Sequence, residues 1–270
     1  MNLDHIKNRI NELVFDYIVD IYTNKQKGFF FVEIGAHDGI SGNPIHRHII
    51  KYKWKGILIE PVKYLFDKLV ANYKRQNNLI FENVAIGDKN EIRDLYRLKQ
   101  TGDIKLSWYD ALGSFYSDIV LKHKAFIPNI EDYLITERVK CVTLKDLLQK
   151  YNIKNIDLLQ IDVEGHEYKI IRSIDFNVIR PKIIHYENKH LNIDDNKECV
   201  ALLKAKGYTV FDSHTVNDLE ETVAFLNSFE ISVRLCMRIL FRILGKILYK
   251  PISSIKRYFI PCLKGFLNRI

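Results

Sequence analysis

The sequence is poor in cysteine and has no cysteine pair spaced for a metal or redox site. Its four cysteines, at positions 141, 199, 236 and 262, form no CxxC motif and no metal-like pattern with histidine. This usage predicts reduced thiols in a cytosolic protein. The first residues also lack an apolar core followed by a cleavage site, so we do not expect them to form a signal peptide.

An excess of positive charge is missing from most of the chain, although the net charge is +8. Residues 1–227 carry 32 basic and 32 acidic groups, whereas residues 228–270 carry nine Lys or Arg and one acid. A main domain without a basic face cannot follow a phosphate backbone, which argues against general nucleic-acid binding. The whole excess of positive charge therefore belongs to residues 228–270, the tail of the chain.

Internal repeats and low-complexity linkers are absent, and apolar strands alternate with helical segments. Strands are predicted at 28–34, 56–60, 78–86, 156–162 and 182–187, with helices opening at Pro44, Pro61, Thr143 and Asp195. Residues 94–98 are expected to extend the sheet edge, and YTVFDSH and ETVAFL to pair antiparallel. The pattern predicts an α/β fold with a doubly wound, mostly parallel sheet whose last strand is antiparallel.

Three regions follow from this pattern. Residues 1–27 have apolar side chains at helical spacing and predict an amphipathic helix packed on the domain. Residues 28–227 form the α/β domain, and within it the irregular segment 99–137 is expected to be a substrate lid. Residues 228–270 form the basic tail.

The turn after the first strand, VEIGAHDGISGNP, lacks the GxGxxG motif of dinucleotide-binding folds. Its pattern is Glu33-x-Gly35-x-x-x-Gly39, and a carboxylate at the strand end would repel a phosphate. Glu60 ends the second strand, where an acid can bind both hydroxyls of a ribose. The two glycines permit close backbone approach, Glu33 suits a cation, and Glu60 suits a ribose. This combination favours S-adenosylmethionine over NAD. The alternative is a tight turn with a capping glutamate.

A set of motifs in order resembles the FkbM-type methyltransferases: FVEIGAHDGISGNP, GILIEP, NVAIGD, VTLKDLL, LLQIDVEGHEYKII and PKIIHYE. The resemblance implies a class I, Rossmann-like fold, S-adenosylmethionine as cofactor, and methyl transfer to oxygen, often on a sugar or glycan. It implies cofactor contacts by Glu33, Gly35, Ala36, Gly39 and Ser41 with the methionine and ribose, by Glu60 with the ribose hydroxyls, and by Asn83, Val84 and Ala85 with the adenine. His37 departs from the family, which more often has asparagine there.

The motif IDVEGHE places several titratable groups at the carboxyl end of the fourth predicted strand. Asp162 is expected beside the transferred methyl, and His166 is the candidate general base because its side chain titrates near neutral pH. The structural alternative, which applies most to Glu167, is an acid favoured by a helix N-terminus.

A competing arrangement combines Asp162 with Glu187 and Asn188, which follow the neighbouring strand. Oxygen ligands from two strand ends could hold Mg²⁺ and lower the pKa of a substrate hydroxyl. Mg²⁺ is the less favoured of the two mechanisms. His185 and His190 flank this segment but do not have the spacing of a zinc site.

The tail places basic residues at 234, 238, 242, 246 and 250, which form one slowly drifting stripe on a helix. Charges recurring at this interval exclude a membrane span. The stripe, opposite Leu, Ile and Phe, suits an anionic membrane surface. Packing on the domain or on a second subunit is the alternative, and nucleic-acid binding is disfavoured.

The leading function is an O-methyltransferase acting on a glycan, glycolipid or secondary-metabolite precursor, in the cytoplasm or on the inner face of a membrane. An NAD-dependent oxidoreductase or epimerase is a second hypothesis. The missing GxGxxG weighs against it, as does the position of the single Tyr-x-x-x-Lys match, Tyr64 to Lys68, on a helix away from the strand ends. A third is an inactive module that only binds a partner.

Overall fold

Apolar, strand-forming runs and amphipathic segments alternate in a computed structural model that describes residues 15–16, 18–20, 22–23, 28–106, 108–212 and 221–227. The strands are β1 (Phe30–Ile34), β2 (Lys55–Ile59), β3 (Leu79–Glu82), β4 (Ala85–Gly87), β5 (Glu91–Leu98), β6 (Gly113–Ser114), β7 (Leu134–Thr143), β8 (Leu158–Ile161), β9 (Ile183–Glu187), β10 (Tyr208–Asp212) and β11 (Glu221–Leu226). The helices are α1 (His46–Tyr52), α2 (Lys63–Asn72), α3 (Ser117–Leu121), α4 (Leu144–Lys150), α5 (Glu167–Ser173) and α6 (Ile193–Ala205).

The main sheet has seven strands in the order β3-β2-β1-β8-β9-β11-β10. Neighbours from β3 to β9 pair in parallel, and β11 is antiparallel to both β9 and β10. This confirms the predicted α/β sheet with an antiparallel strand near its end. Because β1 is flanked by β2 and β8, the loops after these three strands open at one edge of the sheet.

Strand β1 is buried because it lies at the centre of the sheet. Its side chains Val32 and Ile34 belong to the main core together with apolar residues of β2, β8 and β9. Parallel strands covered on both faces are apolar almost throughout, which explains the FFFV run before Glu33. The core thus holds the carboxyl ends of the strands in register, with Glu33 opposite Leu58 on one side and Gln160 on the other.

The predicted third strand, 78–86, is wrong as a single element. It divides into β3 in the main sheet and β4 in a second, four-stranded sheet with the order β4-β7-β5-β6. The break falls at Asn83, whose Nδ2 donates hydrogen bonds to the carbonyl oxygens of Glu60 and Pro61, both at 2.9 Å. Apolar periodicity continues through this break, so the pattern could not locate it.

The expectation that residues 94–98 extend the main sheet is also wrong. They belong to β5, which pairs antiparallel with β7 over eight residues in the second sheet. A small core joins this sheet to α2 through the side chains Val62, Leu65, Ala85, Leu95, Val139 and Cys141. Strand propensity predicted an element here but could not predict its partner, which lies about 40 residues away in sequence.

Segment 99–137 has more regular structure than its sequence pattern indicates. It contains β6, α3, three short 3-10 turns and the first residues of β7. A separate core joins the segment to the end of β5 and is formed by Leu98, Leu112, Val120, Ile127 and Ile130. Its assignment as a lid stays a prediction.

Helix capping follows the sequence signals. Thr143 Oγ1 accepts a hydrogen bond from Asp146 N at 3.1 Å, which confirms the predicted cap of α4. Helix α6 ends before Gly207, whose φ of +87° suits a glycine. Helix α1 begins at His46, two residues after Pro44, although Asn43 Oδ1 does accept hydrogen bonds from the N–H groups of residues 45 and 46.

The apolar residues that the structure describes before the first strand are buried. Phe15, Ile18, Val19 and Tyr22 expose 5% of their surface or less, and the Phe15 ring stacks on His185 at 4.2 Å. Among the described helices, none is long and apolar enough to cross a bilayer. The predicted basic tail, 228–270, lies outside the described residues.

Candidate functional site

A cavity of about 380 Å³ opens at the carboxyl ends of β1, β2 and β8. The end of β1 supplies Glu33 and the turn after it, the end of β2 supplies Glu60, and the end of β8 supplies Asp162. Of the residues predicted to bind the cofactor, those lining this cavity are Glu33, Gly35, Ala36, Ser41, Glu60, Val84, Ala85 and Asp162. Residues that lie about 130 positions apart in the chain are therefore brought to one surface.

The turn after β1 is held against both neighbouring strands. The N–H groups of Gly35 and Ala36 donate to the Ile59 carbonyl at 3.0 and 2.9 Å. Gly35 has a φ of +83°, and a Cβ at this position would lie 1.7 Å from the Asp162 carbonyl oxygen. Only glycine allows the β1 turn to approach the β8 loop this closely.

Gly39 does not line the cavity. It has a φ of +79°, and a Cβ there would lie 2.3 Å from a ring carbon of Tyr73. The Tyr73 hydroxyl donates to the Gly39 carbonyl at 2.8 Å. The glycine therefore packs the turn on α2, and its contact with the cofactor stays a prediction.

Glu33 is a buried acid with an unsatisfied oxygen. Its surface is 3% exposed, and Oε2 accepts no hydrogen bond from the described part of the chain. Burial, and then the neighbouring charge of Asp162, raise the pKa of Glu33 well above its usual range. A carboxylate in this state lacks a cation or a hydroxyl group as partner.

Glu60 joins the ends of β1 and β2. Its Oε2 accepts a hydrogen bond from His37 N at 3.0 Å, and its Oε1 accepts one from Val62 N at 2.8 Å. Burial raises its pKa to about 8, against the opposing effect of these two bonds. Each oxygen keeps one lone pair for a further donor, so a ribose contact would add to a structural role.

The expected adenine side is formed only in part by the predicted residues. Val84 and Ala85 line the cavity. Asn83 is not among the lining residues, since its amide holds the carbonyls after β2 as described above. Apolar residues from the same region, Ile59, Val62, Leu65 and Ile86, complete this wall.

Asp162 lies where the loop after β8 meets the cavity. The residue is exposed and lines the cavity. Desolvation by the surrounding protein atoms, and then the charges of Glu164 and Glu167, raise the pKa of Asp162 well above its usual range. An acid with a raised pKa is better suited to accept a proton near neutral pH.

Glu167 is a structural residue of the IDVEGHE loop. Its carboxylate accepts hydrogen bonds from Val163 N and Gly165 N at 3.0 Å. Burial raises its pKa to about 7. Through these bonds Glu167 closes the loop that contains Asp162 and Glu164.

His166, the predicted general base, is buried against side chains of segment 99–137. The residue is 1% exposed and does not line the cavity, and its Nδ1 lies 3.0 Å from the Tyr116 hydroxyl. The Phe115 ring packs edge-on against the imidazole at 5.0 Å. Burial, and then the charges of Arg93 and Lys169, lower its pKa to about 4. The sequence could not predict this, because Tyr116 and Phe115 come from segment 99–137.

Glu187, the third predicted catalytic residue, also lies outside the cavity wall but close to Asp162. Ligand atoms of Asp162, Glu167 and Glu187 lie within 4.8 Å of one another. Burial, and then the charge of Asp162, raise the pKa of Glu187 well above its usual range. Asn188, the next residue, is fully buried, and its Nδ2 donates to Thr222 Oγ1 at 2.8 Å.

The cavity wall contains residues that the sequence did not indicate. They are supplied mainly by segment 99–137 and by the second sheet: Leu95, Arg97, Trp108, Asp110, Ala111, Gly113 and Phe115. His37, the departure from the family pattern, faces this group, with Nε2 at 3.8 Å from Asp110 Oδ1. An irregular segment between two strands was the one available signal, and it does not point to particular residues.

Comparison with known proteins agrees with this arrangement. Residues 33–210 match the methyltransferase FkbM domain model, which is more than half of the chain, so the chain belongs to the FkbM methyltransferase family. This family assignment replaces the hypothesis of an NAD-dependent oxidoreductase or epimerase. No curated protein matches the chain.

Several solved structures of methyltransferases are similar to the chain at low identity. The methyltransferase FkbM from Methylobacillus flagellatus KT is 14% identical, with a TM-score of 0.43 over 73% of this chain, which spans 43% of that protein. The precorrin-6y C5,15-methyltransferase from Geobacter metallireducens GS-15 is 12% identical, with a TM-score of 0.36 over 76% of this chain and 87% of its own. The N-terminal domain of human METTL16 is 11% identical, with a TM-score of 0.41 over 78% and 67%.

S-adenosylmethionine is the cofactor that the family implies, and the cavity fits it in two respects. The unsatisfied oxygen of buried Glu33 matches an ammonium or hydroxyl donor. Gly35 lets the β1 turn pack against the β8 loop, so that Glu33 and Asp162 line the same cavity. Together with Glu60, these residues are the ones that would hold it.

Proposed function

We propose that the chain is an S-adenosylmethionine-dependent O-methyltransferase whose acceptor is a sugar hydroxyl of a glycan, a glycolipid or a secondary-metabolite precursor. The observation that carries the proposal is the cavity wall itself. Acids from three strand ends, Glu33, Glu60 and Asp162, meet the face supplied by segment 99–137. Carboxylates and aromatic rings are the groups that bind sugar hydroxyls and the apolar faces of sugar rings.

Aromatic side chains at the cavity support a sugar acceptor. Trp108 lines the cavity and is 38% exposed, and its ring lies edge-on to that of Phe126 at 6.1 Å. Phe126 is 67% exposed. An indole face partly open to solvent can cover the C–H groups of a sugar, while Asp110 and Glu164 nearby accept hydrogen bonds from its hydroxyls.

The cofactor would supply a methyl group on a sulfonium, which is transferred in line to a nucleophile with the electron pair of the broken bond left on sulfur. The task of the chain's own residues is alignment of the acceptor oxygen and removal of its proton. Asp162 is the proposed proton acceptor, because it lines the cavity and has a raised pKa. Asp162, and not His166, is thus assigned the catalytic role.

The proposal is tested with the full chain by two measurements. Calorimetry should detect binding of S-adenosylhomocysteine and no binding of NADH. Release of S-adenosylhomocysteine should then depend on an acceptor when the enzyme is offered S-adenosylmethionine with nucleotide sugars, lipid-linked sugars or, as a control class, peptides. Methylation of peptide nitrogen alone would contradict the sugar acceptor, and NADH binding without S-adenosylhomocysteine binding would contradict the function.

An anionic membrane surface is the partner proposed for residues 228–270, on the charge pattern alone. Each basic residue near such a surface contributes about 1 kcal/mol of attraction. We expect the full chain to sediment with vesicles containing an anionic lipid, to bind neutral vesicles less well, and to be released by salt. Replacement of the nine Lys and Arg of the tail by Gln should abolish sedimentation; equal sedimentation of this variant would contradict the partner.

A further inference from the structure

A second group of polar side chains lies beside Asp162, at the carboxyl ends of β8 and β9. Glu164 follows β8, and Glu187 and His190 belong to the end of β9 and its loop. Ligand atoms of these three residues lie within 4.8 Å of one another, and His190 Nε2 is 2.9 Å from Glu164 Oε2. Because β8 and β9 are parallel neighbours, the two loops share one edge of the sheet.

The oxygen Oε2 of Glu187 shows that the group lacks a partner. It exposes less than 1 Å² and accepts no hydrogen bond from the residues described in the structure. A buried carboxylate oxygen without a donor carries a large desolvation cost. The charges of Asp162, Glu164 and Glu167 add repulsion, which Lys189 offsets in part. A cation bound between these ligands would remove both penalties.

We propose that Glu164, Glu187 and His190 form a binding site for a divalent transition-metal ion, for which Mn²⁺ is the spectroscopic probe. An imidazole nitrogen beside two carboxylates favours a transition-metal ion, whereas Mg²⁺ prefers oxygen ligands alone. The amide Nδ2 of Asn188, the next residue after Glu187, donates to Thr222 Oγ1. His190 takes the place in the site that the sequence pattern assigned to Asn188.

This site deepens the proposed function and rests on it for its chemical role. Glu164 and Asp162 both line the cavity, so the ion would lie at the acceptor side. A cation in this place lowers the pKa of an acceptor hydroxyl and stabilises the oxygen that attacks the methyl. The released proton would go to Asp162 or to solvent. Binding of the ion itself does not depend on this role.

Titration of Mn²⁺ tests the site directly. The full chain, freed of metal with a chelator and dialysed, is titrated while electron paramagnetic resonance follows free Mn²⁺. We expect one saturable site per chain. Glu187→Gln and His190→Gln should each weaken binding by about tenfold or more, since removal of even an outer partner of a metal ligand costs that much. Glu131→Gln, at an exposed position, is the matched control and should bind as the wild type does.

Each outcome decides between the site and its alternative, a bare ion pair between His190 and Glu164. Absence of saturable Mn²⁺ binding in the wild type, or equal binding by Glu187→Gln, would overturn the proposal. If Glu187→Gln does not fold, Glu164→Gln takes its place. Titration with S-adenosylhomocysteine in the absence of metal separates the hypotheses: its failure contradicts the proposed function, while Mn²⁺ binding would still support the cation site.

Discussion

The two sides of the cavity differ in how their residues are brought together. The proposed cofactor side is built from neighbouring strand ends, Glu33 to Gly35 and Ile59 to Glu60, joined by backbone hydrogen bonds. The proposed acceptor side combines Trp108 and Asp110 with the loop after β8. The residues of the cofactor side follow two consecutive strands, β1 and β2. The acceptor side depends on packing between the second sheet and the main sheet. Substitutions should therefore act differently on the two sides.

The largest effect is expected for Gly35→Ala, which would break the cofactor side. The new Cβ would collide with the Asp162 carbonyl, and the residue would keep a φ that favours glycine. We expect S-adenosylhomocysteine affinity to fall by more than about a hundredfold and stability to fall by about 1–3 kcal/mol from backbone strain alone. Calorimetry and thermal unfolding measure the two effects.

The matched control for this substitution is Gly102→Ala. A Cβ at Gly102 would meet nothing within 4 Å, and this glycine has no left-handed backbone. It should bind and unfold as the wild type does. Wild-type affinity in Gly35→Ala would show that the turn can move away from the β8 loop, and that the cofactor side does not depend on this close contact.

Asp162→Asn should separate the two sides. Turnover should fall by at least about tenfold, because the group proposed to accept the proton is lost. Unfolding temperature should stay near or above that of the wild type, since the change removes an acid crowded by Glu164 and Glu167. Steady-state kinetics and thermal unfolding test this. Unchanged turnover would show that Asp162 is not the proton acceptor and that the acceptor side only positions the substrate.

The buried acids of the cofactor side predict a pH dependence of stability. Burial raises the pKa of Glu60 to about 8 from 4.5, so the folded state holds its proton more tightly than the unfolded state. The contribution of Glu60 to the free energy of unfolding is fully present below about pH 4.5. It is lost as the pH rises to about 8, by up to about 1.4 kcal/mol per pH unit. Glu60→Gln should flatten the curve measured by denaturant unfolding, and Glu131→Gln should not.

The smallest effect is expected for His166→Gln. The imidazole does not line the cavity, and its lowered pKa of about 4 keeps it neutral at pH 7. We expect turnover within about threefold of the wild type and an unchanged pH–rate profile. Loss of the acidic limb of that profile would instead restore His166 as a general base and would require a different position for Tyr116.

Much of the main sheet could be predicted from local patterns. Apolar runs gave β1, β2, β8 and β9 within two residues of their ends, and Thr143 capped α4 as expected. The errors fall on β4 and β5, which belong to the second sheet. Period and propensity identify a strand, but strand pairing depends on distant residues such as those of β7, so the second sheet could not be foreseen.

The sequence alone determined the fold class, the family resemblance and the acids at three strand ends, because each depends on residue type at a position near a strand end. Only the tertiary structure decided which groups share a surface. It turned His166 toward Tyr116, placed Trp108 and Asp110 at the cavity, and brought His190 within 2.9 Å of Glu164. Contacts across 26 to 50 residues depend on how separate elements pack, and local spacing carries no record of that packing.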